Sequence, residues 1–94
     1  MIIVAGSLCV AAADREAYLA AVADVARLAR NTSGCLDFIQ AADPLDPERI
    51  NIFERWESDV DLDRFRTAGG PETETPPLTD ADVHKYRISG IEEP

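Results

Sequence analysis

The chain has 94 residues, room for one domain. Its 18 acidic residues against 9 basic ones give a net charge of -9, which repels phosphate backbones and anionic lipid surfaces and argues against nucleic acid and membranes as partners. No stretch approaches the ~20 apolar residues of a membrane span.

Residues 1–13 are apolar but have no Lys or Arg ahead of them, as a secretory signal requires. The expected location is therefore cytoplasmic. Cys9 and Cys35 lack metal-ligand spacing, and no base stands beside either in sequence. They read as small buried hydrophobes, with a disulfide left open.

Residues 2–10 alternate as a first strand. Ile2, Val4, Gly6, Leu8 and Val10 share one face; Ile3, Ala5, Ser7 and Cys9 share the other. Both sets are largely apolar. Gly6 in mid-strand points to a bulge or a close backbone approach. Asp14 is placed to cap a helix running to about Arg30, with Tyr18, Val22, Val25 and Ala29 on one stripe. Arg27 and Arg30 suit its C-terminal turn, and Gly34 suits a left-handed stop beyond it.

A second strand follows over 35–41, with Leu36, Phe38 and Gln40 opposed to Cys35, Asp37 and Ile39. The turn-rich segment 43–48 is short enough for a hairpin into a third strand over 49–57. That strand carries Ile50, Ile52, Glu54 and the only Trp, Trp56, on one face, and Asn51, Phe53, Arg55 and Glu57 on the other. Neither face is purely polar, which predicts a strand covered on both sides.

Ser58 and Asp61 resemble a capping box opening a second helix. Asp59, Asp61 and Asp63 could be read as a metal site; acids at a helix start are the simpler account. Residues 69–80, with Gly69 and two adjacent prolines, predict a flexible loop; 82–89 predict the last strand, and 90–94 a tail. The order strand, helix, strand, strand, helix, strand is that of an α+β, ferredoxin-like β-α-β-β-α-β antiparallel sheet. Helices cover one face of such a sheet. A second copy of the chain is the simplest cover for the other.

Gly34-Cys35-Leu36-Asp37-Phe38, the Asp43-Pro44 turn, Glu54-Arg55-Trp56-Glu57-Ser58 and Asp14-Arg15-Glu16-Ala17-Tyr18 resemble the antibiotic biosynthesis monooxygenase (ABM) family. The resemblance covers about residues 1–68 and the last strand. It implies a dimeric α+β barrel, a homodimer of two sheets packed face to face. It also implies oxidation of electron-rich phenols or hydroquinones by oxygen with no metal or prosthetic group. In this chemistry a substrate anion gives up an electron to oxygen, and the protein supplies a dry pocket and hydrogen bonds. Trp56 matches the Trp that lines the pocket.

The chain departs from that pattern where monooxygenase relatives carry an Asn four residues before this Trp and a Tyr six after it. Ile52 and Leu62 stand there. Phe65 stands where many relatives have His, and the haem-degrading relatives' first-strand Asn is here Gly6 or Ser7. No haem, and no other cofactor, is expected.

Substrate positioning is therefore expected from Trp56, Phe38, Phe65 and Tyr18, and proton handling from Glu54 or His84. Each has a structural counterpart. Trp56 and Tyr18 serve equally as core; Glu54 could form an ion pair with Arg15, Arg64 or Arg66; His84 could be an exposed edge residue. Three functions follow: a monooxygenase acting on a small aromatic, a non-catalytic dimeric barrel holding a small hydrophobic ligand, or a protein for assembly alone.

Overall fold

The computed structural model describes residues 1–69 and 74–94. The elements are β1 (Ile2–Val10), a 3-10 turn (Ala12–Asp14), α1 (Arg15–Arg30), β2 (Cys35–Ala42), β3 (Arg49–Trp56), α2 (Asp59–Thr67) and β4 (Leu78–Arg87). The sheet order is β2-β3-β1-β4, with every neighbouring pair antiparallel. The link through α1 therefore spans β3, and the link through α2 spans β1. This is the expected α+β, ferredoxin-like arrangement.

Both helices pack on the face that carries Ile2, Val4, Ile50, Ile52 and Trp56. One cluster joins Ile2, Val4, Phe38 and Trp56 of the sheet to Ala29 of α1 and Leu62 of α2. A second joins Val10, Ile50 and Ile52 to Tyr18 and Val22 of α1. The α1 stripe is thus split between two interiors along its length.

Ser58 caps α2, accepting a hydrogen bond from the Asp61 backbone N–H at 3.2 Å while its hydroxyl donates to Asp61 Oδ2 at 2.8 Å. Asp14 precedes α1, but its side chain makes no capping bond. Arg15 Nη1 instead donates to the carbonyl oxygens of Asp46 at 2.7 Å and of Asp43 and Arg49 at 3.3 Å, which ties the start of α1 to the β2–β3 hairpin.

Two features depart from the sequence reading. β4 begins at Leu78, four residues before the expected start at 82, so the last part of the segment read as loop is strand. Residues 70–73 of that segment lie outside the described residues. A bulge in the β2–β3 pairing between Cys35 and Asp37 turns Cys35 to the interior, where it packs beside the Trp56 cluster, and leaves Leu36 exposed. The face read as Leu36, Phe38 and Gln40 is therefore Cys35, Phe38 and Gln40. Gly6 does mark a close approach: its φ is +149°, and a Cβ there would lie 2.0 Å from the Asp82 carbonyl oxygen.

Among the described residues no helix covers the sheet's other face. Across it run the paired rows Asp37–Arg55–Ile3–Tyr86 and Ile39–Phe53–Ala5–His84. Ile39 and Tyr86 stand 41% and 50% exposed, so this apolar face is open in the single chain. Arg55 Nε donates to Asp37 Oδ2 at 2.5 Å at its margin.

Candidate active site

The inward face of β3 sets Glu54 two residues before Trp56, and antiparallel pairing places Phe38 of β2 opposite Glu54. From above, α2 brings Phe65 down on the pair. The Phe65 ring centroid lies 5.3 Å from that of Trp56 at an interplanar angle of 33°, and 5.9 Å from that of Phe38 at 65°. These separations are those of ordinary aromatic packing. Trp56 is fully buried, Phe38 nearly so, and Glu54 half-buried.

Trp56 Nε1 donates to Glu54 Oε1 at 3.0 Å. A buried indole needs such an acceptor, and here the acceptor is an ionisable carboxylate held against aromatic rings. Burial raises the proton affinity of Glu54 above the ordinary carboxylate value; the indole bond and the positive charge of Arg66 partly oppose it. Glu54 forms no ion pair among the described residues. Of the three arginines considered as partners, Arg15 binds hairpin carbonyls, Arg64 binds Asp61, and Arg66 acts on Glu54 only through its charge. Glu54 thus combines a raised proton affinity, one oxygen anchored by an indole and an aromatic flank. Such a carboxylate can take a proton from a phenol lying beside it.

Cys35 joins this cluster unannounced by the sequence, since the bulge that turns it inward depends on its pairing partner. Its thiol is held protonated, first by burial and then by the negative charges of Glu54 and Asp37, with Arg30 opposing them.

The structure brings Trp56, Phe38, Phe65 and Glu54 together, and does not bring Tyr18 or His84 to them. Tyr18 packs in the second cluster with Val22, Ile50 and Ile52, its phenol held neutral by burial. His84 lies on the open face, across the sheet from Glu54. Its Nε2 is 2.7 Å from Asp82 Oδ1, and its ring is 6.4 Å from Tyr86. One cavity cannot present both Glu54 and His84 to a substrate.

Leu62 is fully buried in the Trp56 cluster, and Ile52, 6% exposed, is buried in the second cluster with Tyr18 and Val22. Asn51 faces away from them; its side chain donates to Asp43 Oδ1 at 2.9 Å and accepts from Arg49 Nε at 2.7 Å. The acids at the start of α2 are engaged separately, Asp59 with Lys85 and Arg87 of β4, and Asp61 with Ser58 and Arg64. Cys9 and Cys35 are both free and sit near opposite ends of the sheet, in register with Arg49 and Trp56 respectively. Among the described residues no helix is long and apolar enough to cross a membrane.

The profile of the antibiotic biosynthesis monooxygenase family matches residues 1–70. No curated protein matches the sequence. Among solved structures, a protein of Deinococcus radiodurans assigned to the antibiotic biosynthesis monooxygenases superposes with a TM-score of 0.74 at 18% identity, over 99% of this chain and 97% of its own. The heme degrader MhuD of Mycobacterium tuberculosis, solved with two hemes in its active site, gives 0.70 at 18% identity, over 99% and 100%. PA3566 of Pseudomonas aeruginosa gives 0.68 at 22% identity, over 94% and 93%. At these identities the likeness is one of fold. The residues of this chain do not fit a heme: the single histidine is on the open face, and Ile52, Leu62 and Trp56 are buried under the helices.

Proposed function

Because the chain belongs to the antibiotic biosynthesis monooxygenase family, we propose that it oxidises a small electron-rich aromatic, a phenol or hydroquinone, with molecular oxygen at the Glu54–Trp56 cluster. The observation that carries this reading is the half-buried carboxylate of Glu54, raised in proton affinity and anchored by the Trp56 indole within an aromatic surround. Glu54 takes the phenolic proton, and the substrate anion gives up electrons to oxygen. The substrate loses two hydrogens to one oxygen atom, which leaves as water. The other atom stays on the ring as a quinone carbonyl. The low-polarity surround favours electron loss from the anion by withholding solvation. Phe65, half-buried over Trp56 and the buried Phe38, offers the aromatic surface on which the substrate ring lies; Tyr18 and His84 have no part in this step.

The working form is a homodimer in which a second copy covers the open sheet face with its own. Ile39, Tyr86, Phe53 and Ile3 make that face apolar, and a chain this small gains most by burying it.

Oxygen uptake with a panel of hydroquinones and phenols tests the activity, with Glu54→Gln and Trp56→Phe as controls. Uptake above background that Glu54→Gln abolishes supports it; no uptake with any substrate rejects it. A second reading, a dimeric barrel that holds a small hydrophobic ligand without turning it over, is favoured by the apolar Ile52 and Leu62, which offer a substrate no hydrogen bond. Ligand binding without oxygen uptake would select it.

A further inference from the structure

We propose that the groove between α1 and β2 is a second ligand site, separate from the Glu54–Trp56 cluster, and that it takes a small aromatic hydroxy acid. The groove has a volume of about 280 Å³ and is built by α1 and β2 alone. Leu19, Ala23 and Ala26 form its apolar wall, while Arg27, Arg30 and Gln40 supply its polar groups. It lies on the helix side of the sheet, away from the face assigned to the second copy.

The three polar groups define the ligand. Arg27 and Arg30 put two guanidinium groups at one mouth of a chain whose net charge is -9. Arg30 is held in place by its Nε, which donates to the Phe38 carbonyl oxygen at 2.9 Å. Arg27 is paired with Asp24, one turn back along the same exposed helix face, a contact readily exchanged for a better anion. Two guanidinium groups so placed suit a carboxylate. Among the described residues Gln40 Oε1 is buried and has no hydrogen-bond partner, an uncommon state for a buried amide oxygen. The Gln40 side chain also lines the groove and the residue is half-buried, so its amide is the polar group an occupant meets there. A ligand hydroxyl, which can both donate and accept, pairs with that amide in either orientation. The volume lies at the lower limit of small-molecule pockets and admits a single ring, not a fused polycycle.

The test is titration of the intact protein with 4-hydroxybenzoate, benzoate and phenol, followed by backbone amide NMR and calorimetry. The expected result is saturable binding of 4-hydroxybenzoate, with shifts centred on Leu19, Ala23 and Gln40. Phenol should bind about tenfold or more weakly than 4-hydroxybenzoate, and benzoate severalfold more weakly. Gln40→Leu should reduce 4-hydroxybenzoate to the affinity of benzoate while leaving benzoate unchanged. Arg27→Gln combined with Arg30→Gln should cost both acids about tenfold or more. Because Arg30 also holds β2, Ala23→Trp provides a variant that fills the groove without touching the charges; it should abolish binding of both acids.

Shifts centred on the Trp56 indole instead of α1 and β2 would overturn the proposal, as would equal binding of phenol and the two acids, or no saturable shift at millimolar ligand. Oxygen uptake does not enter these readouts, so the groove and the Glu54 chemistry fail independently.

Discussion

Trp56 Nε1 and Glu54 Oε1 are joined at 3.0 Å, so the most buried aromatic of the sheet is satisfied by a carboxylate with a raised proton affinity. The pair lies on one face of β3, and β-strand geometry alone brings the two side chains side by side. Charge and packing are therefore coupled at one point of the fold.

That coupling has a sign in stability. Burial, the larger influence, raises Glu54 above its ordinary value of 4.5, so the folded state holds the proton more tightly than the unfolded state. Stability then falls as pH rises from the unfolded value through the folded one, and the loss persists above it. Glu54→Gln keeps an acceptor for the indole and removes the titration. The variant should equal or exceed the wild type in thermal stability at neutral pH, and the difference should shrink as pH falls toward 4.5. Paired melts across that range measure it; a variant that loses ground at neutral pH reverses the prediction.

Asp59 carries the opposite sign. Its hydrogen bond to Arg87, then that to Lys85, lowers its carboxyl from 3.8 to about 2 and ties the start of α2 to β4. This contribution is complete above 3.8 and is lost as pH falls toward 2. Asp59→Asn should be less stable than the wild type at neutral pH, with the two converging by about pH 2. Acid titration followed by circular dichroism checks the convergence.

Gly6 allows β1 and β4 to approach where no other residue fits. A Cβ would meet the Asp82 carbonyl oxygen at 2.0 Å, and the φ of +149° is one that side chains rarely adopt. Both effects act together in Gly6→Ala, which should lose at least about 2 kcal/mol of stability in urea denaturation, within the range of overpacking and backbone strain. A change below about 0.5 kcal/mol, typical of a neutral surface substitution, would show that β4 yields without cost.

Phe53 sits in the middle of the open face, between Ile39 and Ala5 in register. Phe53→Glu places a charge where the second copy is proposed to pack. The wild type should sediment as a dimer at micromolar concentration and this variant as a monomer, with monomeric circular dichroism little changed. A monomeric wild type would remove the dimer from the proposal.

Much of the fold was legible in the chain. The alternation of Ile2, Val4 and Val10 and of Ile50, Ile52 and Trp56 located β1 and β3, and the Ser58–Asp61 pair located the start of α2. Leu78 was missed as a strand residue because two prolines precede it and Thr79 and Asp80 follow, all turn-forming types; its partner, Val10, lies in a distant part of the chain. The aromatic part of the candidate site was visible in Trp56, Phe38 and Phe65. Cys35 was not, because the bulge that turns it inward is a property of two strands together.

In the sequence by itself, the motifs around Trp56 carried the resemblance to the family; the periodicities determined the order of elements and the largely apolar character of both faces of β1. Those follow from local rules of 2 and 3.6 residues per repeat, which every segment obeys alone. The tertiary structure decided which residues meet. It set Glu54 against Trp56, sent His84 to the opposite face, moved Tyr18 into a separate cluster and, among the described residues, left Gln40 Oε1 without a partner between α1 and β2. Each of these depends on register and on how far one element reaches over another. Such quantities arise from long-range packing, and no single segment contains them.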